Sequence, residues 1–176
     1  MPGPAPSMRP IIRAGRIATR VKGMGRALTR HYAGRHPLAL VVMDGAAFFA
    51  CDLLRSMAIP DLQIHFMGAS SYYGGRVSSG QVTLSNLPAC DGEEVLLIDD
   101  ILDSGHTLSA IRSAVLAAGA RDVRTCVLLD KPAGRQVPFQ ADLVGFTVPN
   151  HFLVGYGLDL EGRLRQLPDI CALDMP

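Results

Sequence analysis

No strong charge of either sign marks this chain: 17 Lys and Arg stand against 16 Asp and Glu, a formal net charge of +1. Such a balance gives no long-range field for nucleic acid, and the arginines of the first thirty residues are spread along a helix-like stretch rather than gathered into a polybasic run. Paired cysteines are missing too. Cys51, Cys90, Cys126 and Cys171 lie far apart, in or beside apolar stretches, with no C-x-x-C pair and no histidine at ligand spacing. Four reduced, mostly packed thiols are expected. No apolar run reaches the ~18 residues of a membrane-spanning helix. The start lacks a charged-then-apolar leader pattern, and no segment repeats. These absences point to a soluble, cytoplasmic protein with neither a membrane nor a nucleic-acid partner.

What is present is a core. Apolar residues make up 48% of the 176, enough to bury about 70% of the unfolded surface in one domain. Residues 1–10 carry four prolines and read as a disordered tail without a chemical role, leaving 11–176 as a single domain. Residues 11–33 mix apolar residues and arginines at helical period, but Gly23 and Gly25 break the pattern into one interrupted helix or two short ones. Apolar runs predict strands at 38–43, 63–67, 95–99, 125–129 and 143–148, with a helix over 46–57 and another carrying Leu108, Ile111, Ala114, Val115 and Ala118. Alternating strands and helices imply an α/β fold, a mainly parallel twisted sheet flanked by helices. The stretch 74–80 is glycine-rich and lacks an apolar period. It is either an exposed hairpin or a flexible lid, and the lid is favoured because long glycine-rich loops close over ligands.

The chemistry concentrates in residues 95–107, Val-Leu-Leu-Ile-Asp-Asp-Ile-Leu-Asp-Ser-Gly-His-Thr. An unbroken apolar run suits a strand covered on both faces, and the helical period begins just beyond it. In open α/β sheets ligands bind beyond the carboxyl ends of strands, where the first amides of a following helix favour an anion. Ser104, Gly105, His106 and Thr107 stand where those amides and hydroxyls would surround a phosphate, and Gly105 lets the chain approach closely. Asp99 and Asp100 are acceptors only. Side by side they suit the hydroxyls of a sugar diol, and they attract a hard divalent cation bound to a phosphorylated sugar. Asp103 is the candidate base. Taken singly, each acid could be an ordinary helix cap.

Together these residues resemble the phosphoribosyl diphosphate motif of type I phosphoribosyltransferases. The acid three residues past the pair narrows the likeness to the hypoxanthine-guanine phosphoribosyltransferase family. Other stretches resemble it in order: Ala69-Ser70-Ser71-Tyr72 its mobile loop, Leu128-Leu129-Asp130-Lys131 its purine-recognition lysine, and Pro149 through Asp159 its purine-stacking segment. The resemblance implies a core at about 38–148 under a small hood from 11–37 and 149–176. It also implies Mg²⁺, a homodimer or homotetramer, and as substrates phosphoribosyl diphosphate with a 6-oxopurine.

In that likeness Asp99, Asp100 and Asp159 face metal, and Lys131 reaches the 6-oxo group. Phe152 stacks on the base, whose edge meets the Leu153 main chain. Arg165 binds diphosphate with Asp44 and Gly45, and Ser71 and Tyr72 belong to the lid. Asp103 would take or hold the purine N7 proton while the neighbouring nitrogen displaces diphosphate. One position departs from the pattern. The family loop carries a basic residue immediately before the glycine, and here Asp44 stands there. Two alternatives stay open: a xanthine-preferring enzyme, and a non-catalytic nucleotide sensor, for which Asp44 is the best support.

Overall fold

The computed structural model describes residues 7–71 and 82–174. In chain order the elements begin with β1 (Ser7–Ile12), α1 (Ala14–His31), β2 (Leu38–Met43), α2 (Ala47–Arg55), β3 (Gln63–Ser71) and β4 (Val82–Ser85). They continue with β5 (Glu94–Leu102), α3 (His106–Ala117), β6 (Asp122–Asp130), β7 (Leu143–Thr147), β8 (Phe152–Val154) and β9 (Ile170–Asp174). The six-stranded central sheet runs β4-β3-β2-β5-β6-β7, parallel except for β4, which pairs antiparallel with β3.

Side-chain alternation along the central strands builds two cores. Ala39 and Val41 of β2, with Leu96 and Ile98 of β5, face Phe49, Ala50 and Leu53 of α2 and the apolar stripe of α1. Leu40 and Val42, with Val95 and Leu97, face Leu108, Ile111 and Val115 of α3. A strand covered on both faces has no reason to alternate polar with apolar, so β2 and β5 read as continuous apolar runs.

α1 is a single helix, where the sequence pattern suggested an interruption at Gly23 and Gly25. Gly25 is there for space: a Cβ would lie 1.9 Å from Ser56 Oγ, just past the end of α2. Tertiary contact therefore explains a residue that local propensity counts as a breaker. No side chain caps α1 locally, but the Asp169 carboxylate, 155 residues away, accepts from the Ala14 amide at 2.8 Å and from Arg13 Nη1 at 3.0 Å.

The expected tail is shorter than its prolines suggested, because Ser7–Ile12 form β1 and pair antiparallel with β9. With β8 they make a three-stranded sheet around Val154, Cys171 and Leu173. Ile12, Leu153, Ile170 and Ala172 join this small sheet to the core on the α1 and α2 side. The glycine-rich stretch considered as a lid, with Tyr72, lies outside the described residues, and it links the antiparallel strands β3 and β4. Among the described residues no helix is long and apolar enough to cross a membrane. The four cysteines are unpaired, and three of them are buried.

Candidate active site

The carboxyl ends of β2, β3 and β5 open onto a cavity of about 260 Å³, lined by Gly45, Asp99, Asp100, Asp103, Ser104, Gly105 and Thr107 among others. Asp99 and Asp100 lie inside β5 rather than in the loop after it, so their carboxylates sit on a rigid strand end. Asp99 is 7% exposed. Burial pushes its carboxyl well above the usual carboxylate range, and the neighbouring charge of Asp100 adds to the shift. Burial raises Asp100 too, while the Arg165 guanidinium is among the groups that pull it back. Each carboxylate bonds an amide just beyond it: Asp100 N donates to Asp99 Oδ1 at 2.9 Å, and Ile101 N to Asp100 Oδ1 at 2.7 Å. Gly45 makes room for this pair, since a Cβ there would lie 2.0 Å from Asp100 Oδ2.

Beyond β5 the chain turns through Gly105, whose φ of +89° a side-chain-bearing residue adopts only with strain, and enters α3 at His106. The turn is braced from behind by residues 132–139. Ser104 O accepts from the Gln136 and Val137 amides at 2.9 and 3.2 Å, and His106 Nε2 lies 3.2 Å from Gln136 Oε1. Arg135 carries most of the brace: its Nε donates to Asp103 O at 2.8 Å, and its guanidinium also bonds Phe139 O and the Asp130 carboxylate. Nothing in the sequence singles out Arg135. It is a lone arginine in a loop, and its partners come from the ends of β5 and β6 and from Phe139 in its own loop.

Asp103 and Lys131 meet. Lys131 Nζ donates to Asp103 Oδ2 at 2.9 Å, with the lysine side chain 9% and the aspartate 46% exposed. Lys131 N also donates to Leu102 O at 2.9 Å, tying the ends of β6 and β5 together. Gly134 leaves space for the acid, because a Cβ there would lie 1.8 Å from Asp103 Oδ1.

The opposite wall is built differently. Asp44 is exposed after the Met43–Asp44 cis peptide bond, and a Cβ on Gly157 would lie 2.1 Å from Gly45 O, so these two loops touch. Arg165 donates to Gly157 O at 2.6 Å and pairs with Asp159 Oδ1 at 3.0 Å. Asp159, expected to face a metal, also accepts from Gly162 N at 2.6 Å, so its two oxygens are shared between Arg165 and its own turn. Among the described residues no three His, Cys, Asp or Glu gather into a metal cluster. Phe152 is 43% exposed on β8, whereas Leu153 is buried beside Ala172. Ser71 ends β3. Tyr156 belongs to the segment resembling the purine-stacking stretch, with no role of its own legible in the sequence; its hydroxyl donates to Asp52 Oδ2 of α2 at 2.6 Å.

The family model for the phosphoribosyl transferase domain matches residues 11–161. The chain is 40% identical to the hypoxanthine-guanine phosphoribosyltransferase of Streptococcus thermophilus, over 89% of this chain and 88% of that one. It belongs to the hypoxanthine-guanine phosphoribosyltransferase family. To the bifunctional TilS/HprT protein of Listeria innocua it is 46% identical over 91% of its length, and it spans 25% of that longer relative. A hypoxanthine phosphoribosyltransferase structure from Staphylococcus aureus superposes with a TM-score of 0.87 at 35% identity, covering 94% of this chain and 91% of that one. The family carries the type I phosphoribosyltransferase fold, and the mainly parallel sheet with helices on both faces is that fold.

Proposed function

We propose that the chain joins hypoxanthine or guanine to phosphoribosyl diphosphate, forming IMP or GMP and releasing diphosphate. In this reaction the bond from the anomeric carbon to the diphosphate oxygen breaks, a bond to the purine nitrogen forms, and the purine gives up one proton. The observation that carries the reading is the Lys131–Asp103 pair at 2.9 Å, beside a cavity lined by acids and a helix start. Lysine has three N–H donors, so one can remain on Asp103 while another reaches the 6-oxo group of the base. Adenine offers an amino donor at that place and would leave the ammonium without an acceptor. The Asp103 carboxylate, paired with the Lys131 ammonium, takes or holds the N7 proton as the neighbouring nitrogen attacks.

Ser104, Gly105, His106 and Thr107 would seat the 5′-phosphate at the start of α3, and Asp99 and Asp100 would accept from the ribose hydroxyls. The exposed Phe152 ring would stack on the purine, whose edge would meet the Leu153 main chain. Gly45 and Arg165 would hold the diphosphate, with Asp159 aiming the guanidinium and Asp44 near the rim. Ser71 and Tyr72 would belong to the segment that excludes water.

Mg²⁺ fits the donor set in a limited way. Asp99 and Asp100 offer hard oxygens at the strand end, and with no third acid gathered there among the described residues, substrate oxygens and water must complete the shell. When bound, the ion supplies charge neutralisation to the departing diphosphate. A cytoplasmic homodimer or homotetramer belongs to the same reading, supported by the four unpaired cysteines and by the family.

Purified protein incubated with Mg²⁺, phosphoribosyl diphosphate and each of hypoxanthine, guanine, xanthine and adenine tests this directly. IMP or GMP formation is expected, and no nucleotide from any base would overturn it.

A further inference from the structure

A second crevice lies between α1 and α2, outside the site described above. It encloses about 450 Å³, and Lys22, Arg26 and Arg55 stand around an apolar floor that includes Ala18 and Val21. All three cations are exposed, and none has a hydrogen bond or ion pair within the described residues. α1 contains no Asp or Glu, so its own face offers them no partner. Lys22 and Arg26 are four residues apart on one helix face, an arrangement of like charges that costs rather than adds stability. Asp52 is the acid in the crevice, and its Oδ2 is taken by the Tyr156 hydroxyl at 2.6 Å.

Three unpartnered basic side chains lining one concave surface have the chemistry of a phosphate site. Arginine forks a phosphate with paired N–H donors, and lysine adds a compact charge. Among the described residues no aromatic side chain lines the crevice, which gives successive bases nothing there to stack on, and the near-zero net charge gives no field for a long polyanion. We propose that the α1–α2 crevice is a second, non-catalytic binding site for a compact polyphosphate, held by Lys22, Arg26 and Arg55.

The crevice is connected to the active site by one side chain. Asp52 holds Tyr156, whose amide donates to Leu167 O at 2.8 Å, while the next amide, Gly157 N, donates to Arg165 O at 2.9 Å. An anion in the crevice occupies the cations that otherwise attract Asp52 and repels its carboxylate toward Tyr156. Occupancy therefore steadies the loop that carries Arg165.

Calorimetric titration of the full chain with inorganic tripolyphosphate tests the site, and this arm stands whether or not the chain transfers phosphoribosyl groups. Wild type takes up one more equivalent than the Lys22→Gln/Arg26→Gln/Arg55→Gln variant, whose residual uptake at this affinity falls by about tenfold or more. Thermal melting establishes that the variant is folded. A control lowering charge elsewhere, Arg30→Gln/Arg112→Gln, keeps the extra equivalent. Equal uptake by wild type and the triple variant would overturn the site, and an equal loss in the control would reduce it to bulk charge and overturn it too. A single-stranded RNA bound as tightly as tripolyphosphate, and lost in the same variant, would overturn the small-anion assignment. In a chain active as proposed, tripolyphosphate at levels that fill only the crevice lowers the KM for phosphoribosyl diphosphate, and Tyr156→Phe abolishes that change while keeping the extra equivalent. Loss of the equivalent in Tyr156→Phe, or persistence of the KM change, would overturn the connection through Asp52.

Discussion

The two walls of the cavity are held by different forces. On the side of β5, α3 and the end of β6, a buried lysine is paired with Asp103, and the guanidinium of Arg135 is 18% exposed where it meets a 20% exposed Asp130. On the side of Gly45 and residues 157–165, the organising pair is Arg165 with Asp159, at 28% and 30% exposed, and Asp44 stands in solvent. A buried charge deprived of its partner is costly, so the first wall has one arrangement. A pair that water reaches contributes only ~0–1 kcal/mol, so the second can be rearranged by an arriving diphosphate at little cost. On the proposed reading the base side is thus built before substrate arrives, and the leaving-group side is completed by it.

Substitutions at each wall can break this contrast. The largest effect is expected at Asp103. Asp103→Asn should hold substrate affinity within about a few-fold yet lose about 10²–10⁴ in turnover, the usual worth of a positioned general base. Steady-state kinetics with hypoxanthine measures both, and near-normal turnover would remove Asp103 from the role. Next comes Arg135→Leu, which strips the Asp130 carboxylate and the carbonyls of Leu102, Asp103 and Phe139 of their donor. A loss of about 1–3 kcal/mol in denaturant unfolding is expected for leaving these partly buried acceptors without a donor. A variant as stable as wild type would mean that the β6 end holds the loop without the brace.

The exposed wall should answer more gently. Asp44→Lys supplies the basic residue that the family resemblance implies before the glycine, and the KM for phosphoribosyl diphosphate should fall by about a few-fold while the ranking of purines stays the same. Altered base preference with an unchanged constant for the sugar substrate would count against this placement.

Smallest of all is the cap on α1. The Ala14 amide and, after it, Arg13 hold the Asp169 carboxyl below its ordinary value of 3.8, so the folded state binds the proton less readily than the unfolded chain. Its stabilisation is complete above 3.8 and is lost as pH falls through the lower folded value. Thermal melts of Asp169→Asn should lie slightly below wild type at neutral pH and converge with it in strong acid. A gap that persists at low pH would show that the carboxylate charge is not the source.

Legibility in the sequence followed burial. β2, β5 and β6 announce themselves because both faces are covered and an unbroken apolar run fills the middle of each strand. The acid pair and the Ser-Gly-x-Thr turn were readable because they come just after the apolar run of β5. β1, β8 and β9 were not, since they are short and their pairing joins Ser7 to Asp174 across nearly the whole chain, which no local period encodes. β4 was missed for a related reason: it is a four-residue edge strand recognisable only by its partner β3. Gly25 misled because its tolerance in a helix depends on Ser56.

Local order of residues alone determined the α/β alternation, the place of the Ser-Gly-x-Thr turn and Asp103 as a candidate base, because each is a matter of pattern within about a dozen positions, whereas Lys131 stood out only through the likeness to the family. Only the tertiary structure decided that Asp103 and Lys131 touch, that Arg135 stands behind them, that Arg165 answers to Asp159, and that Asp52 reaches Tyr156. Those pairings depend on which strand ends and helices lie side by side, and close approach between residues distant along the chain is set by packing rather than by spacing.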